Sequence, residues 1–109
     1  MDEERRGKTE AIFRDVNERI AESAQRFSSE SAEFVCECAD PSCTERVEAE
    51  LGEYERVRSK PTTFLLAKGH EHPDIERVVA RRKGYNVVQK VGRIVARTVT
   101  RLDPRTASA

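Results

Sequence analysis

The 109 residues contain no tryptophan, one Met, and only four Phe and two Tyr. Hydrophobic residues make up 37% of the chain, low for a globular domain. Such a chain can bury one modest core, and a metal or cross-link would add stability that the core alone does not supply. No apolar run approaches the roughly 20 residues that a bilayer span requires. The opening Asp2-Glu3-Glu4-Arg5-Arg6 has no apolar stretch of the kind a signal peptide needs. The sequence therefore predicts a cytoplasmic protein with reduced thiols. Three cysteines cannot all pair with one another, which disfavours a disulfide framework. There is no glycine-rich phosphate loop, no H-E-x-x-H and no serine or cysteine triad that spacing supports, so the chain is read as a non-enzyme.

Charge is what the chain has in quantity. Asp, Glu, Lys and Arg make up 37% of it, and the formal net charge is zero. The balance hides an asymmetry. Residues 1–60 hold 16 acids and 10 bases, whereas residues 61–109 hold 4 acids and 10 bases. Either the two halves attract each other in the fold or the basic half faces an anionic partner.

The pattern predicts one α+β domain over residues 9–102, with a flexible N-terminus at 1–8 and a flexible tail at 103–109. Ile12, Phe13, Val16, Ile20, Ala24 and Phe27 recur at steps of three and four, which predicts an amphipathic helix over 9–27 with that stripe against a sheet. Phe34-Val35-Cys36 is a short strand signal, and Val47 begins a second. Leu51, Tyr54 and Val57 predict a helix over 50–59, stopped by Pro61. Thr62 to Ala67 reads as a buried strand, followed by a loop through His72 and Pro73. Segments 75–81 and 85–91 read as a hairpin turning at Lys83-Gly84. In 93–102, Arg93, Arg97 and Arg101 favour helix, whereas Thr98-Val99-Thr100 favours strand; the reading adopted is helix. The two helices are expected to pack on a small, mostly antiparallel sheet.

The chemistry concentrates at Cys36, Cys38 and Cys43, three thiols within eight residues. Short loops let thiolates converge on one tetrahedral ion at little entropic cost. The chain's two histidines, His70 and His72, follow the 62–67 strand, and Gly69 permits a sharp approach to His70. The reading is a structural zinc ion held by Cys36, Cys38, Cys43 and His70, with His72 in reserve and Asp40 or Glu37 as weaker candidates. Four filled positions leave no place for a substrate. Two other readings stay open. The cysteines are ordinary reduced residues with Cys36 in the core, or they form a thiol redox sensor.

Functionally, a protein-interaction or regulatory module is the leading expectation. The alternative is nucleic-acid binding through Arg77, Arg81, Arg82 and Lys83 around the hairpin, with Arg93, Arg97 and Arg101 along one helix face.

The runs Phe34–Val47 and Glu53–Arg58, the step Pro61-Thr62, the triplet Gly69-His70-Glu71, and the stretches Val87–Lys90 and Phe13–Ile20 together carry a resemblance. Over about residues 9–105 the chain resembles a family of small uncharacterised actinobacterial proteins. The resemblance implies no activity. It favours His70 over His72 as the partner of the cysteines, because it includes Gly-His-Glu and not the second histidine. The chain departs from the family at His72-Pro73 and at Arg81-Arg82-Lys83.

Overall fold

A computed structural model describes residues 2–107 of the protein. It is an α+β fold of four helices and five strands among the described residues. Helix α1 (Glu3–Arg26) comes first, capped by Asp2, whose carboxylate accepts from the Arg5 N–H at 2.8 Å. Strands β1 (Ser31–Val35) and β2 (Arg46–Glu50) form an antiparallel hairpin with the cysteine-bearing segment as its long connection. Helix α2 (Leu51–Val57) leads to β3 (Thr63–Leu66), and β4 (Glu76–Arg81) and β5 (Asn86–Lys90) follow. Helices α3 (Arg93–Arg101) and α4 (Pro104–Ala107) close the described chain.

The strands form two separate antiparallel sheets, β1-β2 and β3-β5-β4, rather than one. Phe34 opposite Val47 and Ala32 opposite Ala49 give the hairpin its apolar face. That face packs with Tyr54 and Val57 of α2 and with Leu65, Tyr85 and Val87 of the larger sheet. The other face of the larger sheet presents Phe64, Leu66 and Val88 to Ile75, Val95, Val99, Cys36 and Cys38. All four residues of β3 are buried because the strand serves both clusters. A bulge lies between Val78 and Ala80 on β4, one of the two edge strands of the larger sheet.

Three expectations need correction. Residues 3–8 are not a loose terminus: α1 begins at Glu3, the Glu3 carboxylate accepts from the Val95 N–H, and Arg6 pairs with Asp74 at 2.6 Å. The tail is ordered over its first part, with Asp103 buried and 104–107 helical; residues 108–109 lie outside the described residues. The third correction is the largest. The α1 residues that face inward are Gly7, Glu10, Ala11, Arg14, Asn17 and Ala21. Of the predicted apolar stripe, Ile12 is 63% exposed, Val16 40% and Phe27 79%, whereas Phe13 and Ala24 are half-buried and Ile20 packs against the core.

Polar side chains fix α1 to the rest because each finds an interior partner. Arg14, fully buried, donates to the carbonyls of Pro61 and Val99, both at 2.8 Å. Glu10 and Glu76 both pair with Lys90, all three side chains being buried. Glu18 accepts from Tyr54, Arg58 and Arg105, which together hold its carboxyl down at about 2 against the cost of burial. Several charges are therefore structural and internal, and Glu10–Lys90 and Glu18–Arg105 join the acidic first half to the basic second half.

Candidate metal centre

The segment after β1 stays extended. Side chains therefore alternate, and Cys36 and Cys38 project to one side while Glu37 projects to the other. The Cys36 N–H donates to the Glu45 carbonyl at 3.0 Å, carrying the hairpin ladder one step past β1. Glu37 then fastens the segment to β3. Its N–H donates to the Leu65 carbonyl, and its Oε1 accepts from the Leu65 N–H, both at 2.9 Å. Its Oε2 accepts from Asn17 at 2.8 Å, while Asn17 also pairs with the Val35 backbone. Burial pushes the Glu37 carboxyl above its usual range, opposed by the bonds from Asn17 and Leu65. Glu37 is thus engaged on the face opposite the thiols and is a clamp rather than a ligand.

Beyond Cys38 the chain turns. Asp40 accepts from both the N–H and the hydroxyl of Ser42, at 2.9 and 2.7 Å, and the Cys43 N–H donates to the Asp40 carbonyl at 3.1 Å. This tight turn returns Cys43 towards Cys36. The histidine arrives from the far side. After β3, the His70 N–H donates to the Ala67 carbonyl at 3.2 Å, and Gly69 takes a φ of +86°, a conformation that favours glycine. The Ala67 N–H donates to Cys36 Sγ at 3.2 Å, tying the two segments together.

The ligand atoms of Cys36, Cys38, Cys43 and His70 all lie within 4.8 Å of one another, close enough to hold a metal ion. His70 Nδ1 stands 3.6 Å from Cys36 Sγ and 3.5 Å from Cys43 Sγ. Cys36 and Cys38 are buried in the second core cluster, and Cys43 and His70 are half-buried. A hydrogen bond from Cys36 holds the Cys38 thiol below its usual range, with His70 and the Asp40 backbone assisting. The same bond pushes Cys36 up, with burial adding to it, and burial also raises Cys43.

His72 is not part of the cluster; its N–H donates to Glu76 at 2.8 Å. Asp40 shapes the loop and is likewise outside the set. The basic residues are placed differently from one another. Arg77, Arg81, Arg82 and Lys83 are all exposed around the β4–β5 hairpin, but Arg82 is engaged with Glu53 at 2.7 Å. Arg93, Arg97 and Arg101 lie on the exposed face of α3. Glu37 stood in the sequence as a weaker candidate ligand and acts instead as the clamp to β3, while Asn17, which holds Glu37 and Val35, had no signal beyond being polar. No helix among the described residues is long and apolar enough to cross a membrane. No family model, curated protein or solved structure matches the chain.

Proposed function

We propose that this protein is a protein-interaction module stabilised by a structural zinc ion on Cys36, Cys38, Cys43 and His70. One observation carries the metal half of the reading. Zinc–sulfur and zinc–nitrogen bonds of about 2.3 and 2.05 Å, at a tetrahedral angle, set sulfur and nitrogen about 3.6 Å apart. The two nitrogen–sulfur distances are 3.6 and 3.5 Å. Three thiolates and an imidazole suit zinc better than the hard, oxygen-seeking cations. With four protein ligands the ion has no open position, which supports a structural rather than a catalytic role.

The ion would join the hairpin connection to the loop after β3, two segments that no strand pairing links. A small core with many internal charges gains most from such a clamp. The interaction half of the reading is supported by Val79, 47% exposed at the edge of an open groove between α2 and the larger sheet that Val57 and Val87 also line.

Mass spectrometry of native protein purified without added zinc tests the metal half. About one zinc per chain is expected, released together with masked thiols when a strong chelator is added. Cys38→Ser should lose the ion and lower the melting temperature, while His72→Ala should retain it. Metal-free protein with three freely reactive thiols overturns the zinc reading.

A further inference from the structure

A groove of about 390 Å³ opens between the C-terminal end of α2 and the larger sheet. Its volume falls in the range of ligand-binding clefts, about 300–1,000 Å³. Its floor is aliphatic, made by Val57 and Val87, which are buried, with Val79 47% exposed at its edge. Its rim carries Arg56, Lys60 and Arg82. The single acid in the lining, Glu53, is buried and already bound, to Arg56 and Arg82, each at 2.7 Å. One carboxylate against three cations leaves the groove with excess positive charge. Arg77 adds to it, because Arg77 and the groove residues Thr63 and Gln89 share one cross-strand row.

From this we infer that the groove is a docking site for an acidic peptide segment of a partner protein, with an aliphatic side chain on the valine floor and carboxylates against the rim. The inference deepens the partner-binding half of the reading above and does not depend on the metal. Charge complementarity selects the acidic partner. The floor selects a peptide over a nucleic acid: the lining has no aromatic ring on which a base can stack. The edge strand β4 borders the groove, and its outer backbone groups can meet the main chain of an extended segment.

The test uses the full chain as purified in reductant and a fixed set of fluorescein-labelled hexapeptides that alternate Glu or Asp with Val, Leu, Ile or Phe. Fluorescence anisotropy at about 0.15 M salt keeps surface charge from dominating. Micromolar binding is expected for at least one peptide, weakened at least tenfold by Val79→Asp and by Lys60→Glu, and unchanged by Arg97→Glu on α3 outside the groove. Each variant is first checked for metal content and circular dichroism; if Val79→Asp is misfolded, Lys60→Glu carries the test. Absence of binding below about 1 mM, where affinity is only about −4 kcal/mol, overturns the site. So does equal binding of a set with Lys in place of the acids. A single-stranded oligonucleotide that binds more tightly than any peptide and ignores Val79→Asp also overturns it, in favour of a nucleic-acid face. A protein partner captured equally by wild type, Val79→Asp and Lys60→Glu would remove the groove and leave the module reading in place.

Discussion

Replacing Phe64 by leucine should cost far more than an ordinary core substitution. The ring is fully buried, and two cations lie over it: the Arg14 guanidinium and the Lys90 ammonium are each 4.8 Å from its centroid. A hydrophobic swap of similar volume costs less than about 1.5 kcal/mol in a typical core. A desolvated cation on an aromatic face contributes about 2 kcal/mol, and here there are two. Phe64→Leu removes the ring quadrupole while leaving both charges buried, so the expected loss is about 4–5 kcal/mol. That is a large part of the roughly 5–15 kcal/mol that holds a domain together. With an m-value of about 1.5–2 kcal/mol/M, the urea midpoint should fall by about 2–3 M. The assay is equilibrium urea unfolding in zinc and reductant, read by circular dichroism. A cycle with Arg14→Met should give a coupling of about 1–2 kcal/mol between ring and guanidinium. A Phe64→Leu loss no greater than about 1.5 kcal/mol, or a coupling near zero, would refute the idea that the ring screens these charges.

Two further outcomes follow from the buried face of α1. Burial, only partly offset by Lys90, pushes the Glu10 pKa up to about 7, well above the usual carboxylate range. The folded state therefore holds this proton more tightly than the unfolded chain, and stability falls as pH rises through that window. Glu10→Gln should abolish this slope, so that the stability difference between variant and wild type shifts by about 3 kcal/mol in favour of the glutamine between the acid and alkaline ends of the window; parallel urea curves for the two proteins would count against it. A Cβ at Gly7 would stand 3.1 Å from the Thr98 side chain, closer than carbons normally pack. Gly7→Leu should therefore separate α1 from α3 and destabilise the protein by about 1–3 kcal/mol, seen as a thermal shift of several degrees; an unchanged melting temperature would show that the helix contact is slack.

Local sequence determined much of this protein. Pro61 follows the end of α2, the Lys83-Gly84 turn joins two β-prone runs, and three thiols gather within eight residues, with His70 and His72 the two imidazoles the chain offers them. These features act over a few residues, where propensity, turn chemistry and loop closure operate. The ambiguous 93–102 segment became helix because tertiary contact favoured it: Val95, Thr98 and Val99 bury one face against α1 and the sheet.

The choice between His70 and His72 was different. Both follow β3, and only the turn at Ala67–His70, with Gly69 in the left-handed region, brings the first into the thiol cluster; the second lies outside it, where its backbone N–H donates to the Glu76 carboxylate. The orientation of α1 was also beyond local reading. Its periodicity pointed Ile12, Val16 and Phe27 inward, yet the partners that fix the opposite face are distant in sequence: Arg14 reaches Val99, Glu10 reaches Lys90 and Asn17 reaches Val35 and Glu37. A polar residue counts as buried only when its partner is present. Hydrophobic periodicity treats each residue alone, so it cannot see a pair made across the fold. The sequence determined most of the helices and strands and where the thiols gather; the tertiary structure decided the helix at 93–102 and which face of α1 turns inward, because those choices rest on contacts and charge pairs made across the fold.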